Sequence, residues 1–261
     1  MRAPQSRTKD ETVTVTSGAL TGSVHSFDLS TGVDGPGTRF VAFFAGCPLR
    51  CLYCHSPDTW YRRSGKPTTV DELLAEVGKY ARFIRVAGGG VTLSGGEVLQ
   101  QPEFDKQVLR RCKELGLHTA LDTSGFLGDR ADDELLDATD LVLLDIKSGD
   151  PQTYRTVTRT GELAPTLRFA RRLADRGTPI WIRFVLVPGL TDDPANVAAI
   201  ADFVAGLATV ERVDVLPFHR LGATKYEKLG EPFPLADTEP PSPAQIDEVR
   251  AVFRARGLPV F

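Results

Sequence analysis

Three of the four cysteines in this 261-residue chain, Cys47, Cys51 and Cys54, lie within one eight-residue segment. The spacing Cys-x3-Cys-x2-Cys places three thiolates on one short segment, enough to ligate three irons of a cuboidal four-iron cluster. No further cysteine lies nearby, so the fourth iron would lack a protein thiolate. An open metal position is where a substrate or cofactor can coordinate. The segment therefore predicts a reactive iron–sulfur cluster.

Other interpretations of the triplet are a buried helical stripe and a zinc site. Positions 47, 51 and 54 are i, i+4 and i+7, the spacing of an amphipathic helix, and buried free cysteine is common. However, residues 41–44 have an apolar strand pattern and Pro48 follows Cys47, which favours a loop. Zinc needs a fourth ligand, yet Cys112 is distant and His55 is awkwardly adjacent to Cys54. One tight triplet does not suit a disulfide framework. A cluster is favoured, and zinc or structural cysteines remain the alternatives.

The composition is that of an ordinary globular chain. Hydrophobic residues make up 41% and charged residues 25%, and the net charge of −3 comes from interspersed signs. A chain of this length buries roughly 70–75% of its unfolded surface, so it needs no metal merely to fold. We therefore expect the cluster to be functional. No basic block points to nucleic acid, and no apolar run is long enough to span a membrane.

The first residues of the chain are polar. Residues 1–18 are rich in Thr, Ser and charge, which predicts a flexible extension, followed by a single domain over residues 19–261. The extension lacks the apolar core of a signal peptide. Free cysteines and an oxygen-sensitive cluster fit a reducing compartment. We therefore expect a cytoplasmic protein.

Strand and helix patterns alternate from Val24 onward. The strand patterns cover residues 39–44, 90–93, 118–122, 141–146, 180–187 and 212–217, and the helical patterns cover residues 70–83, 104–115, 132–138, 164–176, 194–207 and 243–256. Such alternation predicts βαβ units, hence a parallel sheet with right-handed crossovers. Six repeats predict an α/β fold in the form of a partial (β/α)6 barrel, with parallel strands inside and helices outside.

Polar residues and glycines follow the ends of these strands, where parallel barrels build their active sites. They include Ser94-Gly95-Gly96-Glu97, Asp122, Asp145, Lys147 and His219, while Arg183 lies within its strand. Gly95 and Gly96 would let a ligand approach the backbone, although a tight turn explains them equally well. Asp122 could instead be a helix cap, Lys147 a solvated surface lysine and His219 a satisfied core histidine. Their shared position after successive strands favours one site.

Four other features are interpreted structurally. Asp34 lies in an Asp-Gly-Pro-Gly sequence, which is first of all a turn signature. Cys112 lies on a predicted helix and is expected to be a buried structural thiol. Asp193-Pro194 and the proline-rich segment 239–243 are predicted to introduce helices.

Together these motifs are similar to those of a known superfamily. The triplet after a strand, followed by Gly-Gly-Glu, resembles the radical S-adenosylmethionine superfamily, and the wider set resembles its pyruvate formate-lyase activating family from about Val24 to Phe261. The motifs are His25-Ser26-Phe27, Val33-Asp34-Gly35-Pro36-Gly37, Cys51-Leu52-Tyr53-Cys54-His55, Ser94-Gly95-Gly96-Glu97, Leu121-Asp122-Thr123, Leu144-Asp145-Ile146-Lys147, Trp181-Ile182-Arg183 and Leu216-Pro217-Phe218-His219. Pro57 departs from the more polar residue expected after the cysteines, which puts only the docking of a partner in question.

The resemblance implies cofactors and a role for each site residue. Cys47, Cys51 and Cys54 would ligate a [4Fe-4S] cluster, and S-adenosylmethionine would chelate the open iron. The residues implied to bind S-adenosylmethionine are Tyr53, His55, Gly95, Gly96, Asp122, Asp145, Lys147 and His219. A monovalent cation would lie near Asp122 and Asp145. Asp34 and Arg183 would face the peptide of a protein substrate.

The implied activity is that of an oxidoreductase in anaerobic glucose metabolism. Reductive cleavage of S-adenosylmethionine would give methionine and a 5′-deoxyadenosyl radical, which would abstract hydrogen from a backbone glycine of pyruvate formate-lyase. The implied partners are pyruvate formate-lyase and a flavodoxin- or ferredoxin-type electron donor, and the chain would act as a monomer. The alternatives are activation of a different glycyl radical enzyme and a non-catalytic zinc- or iron–sulfur-binding protein.

Overall fold

The computed structural model describes residues 20–261, so the predicted extension at residues 1–18 lies outside the described residues. The strands are β1 Thr21–Thr31, β2 Thr38–Phe44, β3 Lys66–Thr69, β4 Gly90–Gly95, β5 His118–Thr123, β6 Leu141–Asp145, β7 Ile180–Leu186 and β8 Val210–Pro217. They form one eight-stranded sheet in the order β3-β1-β2-β4-β5-β6-β7-β8.

Six of these strands run parallel, as predicted. β2, β4, β5, β6, β7 and β8 pair in that order, and the described sheet stays open between its edge strands β3 and β8. The partial parallel barrel is therefore confirmed.

Two antiparallel strands extend one edge of the parallel set and were not predicted. β1 pairs with both β2 and β3. A turn joins β1 to β2, where Gly32 N–H donates to the carbonyl of Gly37 at 3.1 Å, and the predicted Asp-Gly-Pro-Gly turn lies within it. The cysteines thus follow the second strand of the chain, which is the first of the parallel strands.

The helices pack against the sheet and support the ends of its strands. They are α1 Val70–Val86, α2 Pro102–Glu114, α3 Asp133–Asp137, α4 Pro151–Thr158, α5 Leu163–Asp175, α6 Pro194–Ala205, α7 Ala223–Leu229 and α8 Pro243–Arg254. The six predicted helices are present with small shifts at their ends, whereas the short α4 and α7 were not predicted. None of the helices in residues 20–261 is long and apolar enough to cross a membrane.

Local signals start several helices where they were expected. Thr69 and Glu72 form a capping box at α1, and Ser242 and Gln245 form another at α8. Asp193 accepts hydrogen bonds from the first turn of α6. The predicted helix starts after Asp193 and after the proline-rich segment are confirmed.

The main core lies between the sheet and the helices. Apolar side chains of β4 to β7 pack against helices α1, α2, α5 and α6; examples are Val91, Leu121, Val142, Ile182, Leu73, Val108, Phe169 and Val204. Cys112 is fully buried there, and burial raises its pKa to about 12. This core is a rigid support for the loops at the carboxyl ends of the strands.

Candidate active site

The cysteine loop, residues 45–56, has little regular structure and is fixed by backbone hydrogen bonds. Gly46 N–H donates to the carbonyl of Thr59 at 2.7 Å, and Cys47 N–H donates to that of Trp60 at 3.1 Å. On its other side Leu52 N–H donates to the carbonyl of Val157 at 2.9 Å. Because the segment is a loop, the helical-stripe interpretation of the triplet is wrong.

Burial dominates the acidity of the three thiols. It raises the pKa of Cys51 to about 12, against the opposing charge of Lys147, and raises the pKa of Cys47 and Cys54 as well. The charges of Cys51 and Cys54 raise the pKa of Cys47 further, and the charge of Cys54 raises the pKa of Cys51. Within residues 20–261, no three His, Cys, Asp or Glu side chains already lie at metal-binding spacing. Binding a metal here would therefore release protons from the thiols.

Charged side chains from separate strand ends meet in what we call the strand-end ion network: Asp34, Asp122, Asp145, Lys147 and Arg183. Arg183 Nη1 on β7 lies 3.1 Å from Asp122 Oδ2 on β5 and 3.9 Å from Asp34 Oδ1. Ser94 Oγ donates to Asp122 Oδ2 at 2.7 Å. Asp122 is thus part of this network, and the helix-cap interpretation is wrong.

Lys147 and Asp145 form the second pair of the network. Their Nζ and Oδ2 atoms are 2.7 Å apart, and the Lys147 side chain is only 12% exposed. The surface-lysine interpretation is therefore wrong. Lys147 Nζ also lies 5.8 Å from the ring centroid of Tyr53, whose hydroxyl is buried without a hydrogen-bond partner among the described residues.

The pKa shifts within the strand-end ion network define which of its side chains are charged. Asp122 raises the pKa of Arg183, and Asp145 holds the pKa of Lys147 well above its usual value although burial alone would lower it. Burial would raise the pKa of Asp145, but Lys147 and Arg183 outweigh it and lower that pKa. For Asp122 burial prevails over Arg183 and raises the pKa. Lys147 and Arg183 are cationic at neutral pH, and Asp145 is anionic.

Gly95 and Gly96 pack against the protein's own backbone. Gly95 has φ +113°, and a Cβ there would collide with Phe44 backbone atoms; a Cβ on Gly96 would collide with the carbonyl oxygen of Gly46. Glu97 N–H donates to that same carbonyl at 2.8 Å. The glycines therefore hold the end of β4 against the cysteine loop, and contact with a cofactor stays a prediction.

Glu97 is a site residue to which the sequence assigned no role. It is 1% exposed; Oε1 accepts from Thr123 Oγ1 at 2.6 Å, and Oε2 accepts from Ser124 N–H at 3.0 Å and Ser124 Oγ at 2.5 Å. It thereby ties the segment after β4 to the end of β5. Its place in the Gly-Gly-Glu motif was the sequence feature that could have identified it as a site residue.

The two histidines of the site, His55 and His219, come from opposite ends of the parallel set of strands, after β2 and after β8. The ring centroids of His55, in the cysteine loop, and His219, after β8, are 5.9 Å apart. His219 is exposed, so the core-histidine interpretation is wrong. The charges of Asp145 and His55 act on each other, as do those of Lys147 and Cys51, so the loop and the network adjoin.

Comparison with known proteins identifies the family of the chain. The family model described as the radical SAM superfamily matches residues 41–200, which include the cysteine loop. The pyruvate formate-lyase 1-activating enzyme of Escherichia coli K12 is 41% identical over 245 residues, covering 93% of this chain and 99% of that protein. The chain belongs to the radical SAM superfamily and to its pyruvate formate-lyase-activating family.

Two further relatives extend the agreement from sequence to structure. The activating enzyme of Clostridium pasteurianum is 46% identical over 84% of this chain and 91% of its own length. The crystal structure of a domain of the Bacteroides vulgatus pyruvate formate-lyase-activating enzyme has a TM-score of 0.54 at 29% identity, covering 67% of this chain and 98% of that domain. The predicted family and fold class are confirmed, and the chain is a radical SAM enzyme, for which a [4Fe-4S] cluster and S-adenosylmethionine follow.

Proposed function

We propose that this radical SAM enzyme activates a pyruvate formate-lyase by generating a glycyl radical on it. The observation that carries the proposal is the identity of 41–46% to enzymes named for this activation, over 84–93% of the chain. The buried strand-end ion network beside the cysteine loop supports it, since a passive metal-binding protein would need only the cysteines.

The donor set fits the cofactors of the family. Three cysteines on one pinned loop can hold three irons as thiolates, and the loop supplies no fourth cysteine. When bound, the cluster and S-adenosylmethionine supply a one-electron cleavage that yields methionine and a 5′-deoxyadenosyl radical.

The network would orient S-adenosylmethionine through complementary charge. Lys147 would bind the methionine carboxylate, Asp122 would hold the ammonium beside Gly95 and Gly96, and Asp145 would accept from the ribose hydroxyls. Tyr53, His55 and His219 would enclose the adenine edge; of these, Tyr53 already lies beneath Lys147.

A monovalent cation near Asp122 and Asp145 is also part of the proposal. The network contains three carboxylates and two cationic side chains, so it carries one uncompensated negative charge when all groups are ionised. A monovalent cation would balance that charge without the larger dehydration cost of a divalent ion.

Asp34 and Arg183 would receive the substrate peptide. Asp34 lies in the loop between β1 and β2, and its carboxylate is farther from Arg183 than that of Asp122 is. Asp34 can thus exchange its weak contact for hydrogen bonds to a peptide. The target glycine would have to leave its own fold to reach this position, which requires local unfolding of the host protein.

We propose further that the protein is a cytoplasmic monomer that receives its electron from another protein. A flavodoxin- or ferredoxin-type protein would supply the electron.

The conservative variant Asp34→Asn tests the peptide role, since it keeps the side-chain shape and removes the charge.

The test is anaerobic incubation of reconstituted enzyme with S-adenosylmethionine, a reductant and pyruvate formate-lyase, followed by electron paramagnetic resonance. We expect a glycyl radical with the native enzyme, and much less radical with Asp34→Asn although that variant still cleaves S-adenosylmethionine. A radical formed only on a different glycyl radical enzyme would overturn the proposed substrate and leave the chemistry intact.

A further inference from the structure

Five arginines lie around the outer side of the cysteine loop and the nearby end of α4. We call them the arginine surface: Arg50, Arg62, Arg63, Arg155 and Arg159. Together with the two glutamates among them, Glu162 and Glu231, they give this surface a charge of +3, whereas the whole chain carries −3. This surface is therefore locally positive although the chain as a whole is negative.

A cleft of about 240 Å³ opens in this surface. Its walls include Arg50, Trp60, Tyr61, Arg159 and Tyr226, and a second cavity beside Arg155 and Arg159 adjoins it. The Arg50 guanidinium lies 5.2 Å from the ring centroids of both Trp60 and Tyr61. Aromatic side chains interleaved with arginines are enriched where proteins dock.

Most of these arginines have no acidic partner. Of these five arginines, only Arg155 has a carboxylate among residues 20–261 within 4.0 Å, that of Glu162 at 3.5 Å. Arg63 lies over the Tyr61 ring at 4.3 Å, and Arg62 and Arg159 are exposed. Unpaired arginines grouped together repel one another, so an acidic partner would relieve a cost that the free protein carries.

Arg159 is held in a backbone conformation that suits glycine better. It ends α4 with φ +62°, and it is the one non-glycine residue with positive φ in the described part of the chain. Glycine is the usual residue at such a helix end. An arginine here keeps a charge at the cleft where glycine would fit the backbone with less strain, which points to a use for that charge.

Arg50 and Trp60 connect the cleft to the cysteine loop. Arg50 Nη1 donates to the carbonyls of Cys47 at 2.7 Å and Leu49 at 2.8 Å. The Trp60 side chain lines the cleft, and the Trp60 carbonyl accepts a hydrogen bond from Cys47 N–H at 3.1 Å. The cleft residues do not belong to the strand-end ion network, so a partner bound there would leave the network free for another.

We infer that the arginine surface docks an acidic one-electron carrier protein, which reduces the cluster through the short path past Trp60 to Cys47. The carrier would lose one electron and the cluster would gain it, ready for cleavage of S-adenosylmethionine. The inference rests on the proposed function only in requiring the cluster; its test precedes radical formation, so the two can fail separately.

The first measurement is binding of oxidised flavodoxin, an acidic flavin protein, by titration calorimetry at low and high salt. The variant Arg62→Gln/Arg63→Gln/Arg159→Gly should bind about tenfold more weakly or worse, and the affinity of the native protein should fall as salt rises. The matched control Arg82→Gln/Arg110→Gln/Arg254→Gln removes three charges elsewhere and should bind like the native protein. Arg159→Gly alone should be at least as stable as the native protein, which separates lost charge from misfolding.

The second measurement is stopped-flow reduction of the reconstituted cluster. With reduced flavodoxin the surface variant should be reduced at least tenfold more slowly than the control variant, whereas with photoreduced deazariboflavin, a small reductant, both should react alike. Equal rates and affinities with flavodoxin would overturn the inference. So would normal reduction combined with loss of glycyl radical formation, because the surface would then belong to the protein substrate.

Discussion

Replacing Asp105 should stabilise the protein. Asp105 lies in the first turn of α2, is 0% exposed, and neither carboxylate oxygen has a hydrogen-bond partner among the described residues. Burial, and secondarily the charge of Glu97, hold its pKa well above 3.8. The helix N-terminus would stabilise an ionised carboxylate by roughly 0.3–1 kcal/mol, whereas removing the ion from water costs several kcal/mol. Burial therefore wins, and the carboxyl is neutral in the folded state.

The pH dependence follows from this shift. Because the pKa is raised in the folded state, the unfolded chain loses this proton first as pH rises. The stability linked to Asp105 is therefore fully present below the unfolded pKa, about 3.9, and is lost as pH rises toward the folded pKa, at about 1.4 kcal/mol per pH unit. Asp105→Asn removes this dependence. Asp105→Val also removes the unpaired polar group, which should add about 1–3 kcal/mol to the free energy of unfolding.

Urea unfolding of anaerobic protein between pH 5 and pH 8, followed by tryptophan fluorescence, measures both effects. The exposed substitution Glu248→Gln is the control and should follow the native pH dependence. Infrared difference spectroscopy should show the C=O stretch of a neutral carboxyl that Asp105→Asn removes. If Asp105→Val were less stable than the native protein and Asp105→Asn kept its pH dependence, Asp105 would be ionised and paired, and the argument from burial would be refuted.

Three further predictions concern the site. Cys54→Ala should abolish the cluster while Cys112→Ala retains it, as measured by iron and sulfide content; a normal cluster in Cys54→Ala would contradict the assignment. Gly96→Ala should lower stability by about 1–3 kcal/mol and impair cluster retention, because its Cβ would collide with the carbonyl of Gly46; unchanged thermal unfolding and iron content would argue against this packing. Lys147→Met should weaken S-adenosylmethionine binding by roughly 1.5–3 kcal/mol in equilibrium titrations of reconstituted enzyme, and unchanged affinity would remove the lysine from the cofactor site.

Short-range patterns in the sequence were enough to predict the scaffold. The six parallel strands, the helix starts after Asp193 and after the proline-rich segment, and the loop character of the cysteine segment depend on neighbouring residues. β1 was missed because its central residues are largely exposed and polar, and α4 and α7 because each is only two turns long. These elements are stabilised by tertiary contacts, which the local periodicity of the sequence does not reveal.

The sequence by itself determined which residues gather at the strand ends, because parallel strands bring their carboxyl ends to one edge. Only the tertiary structure decided how they pair: Arg183 with Asp122 more closely than with Asp34, and Glu97 with Ser124. It also decided that the glycines serve backbone packing and that Asp105 is buried without a partner. These outcomes depend on distances between side chains far apart in sequence, which are set by the twist of the sheet and the seating of helices against it, and no local pattern encodes them.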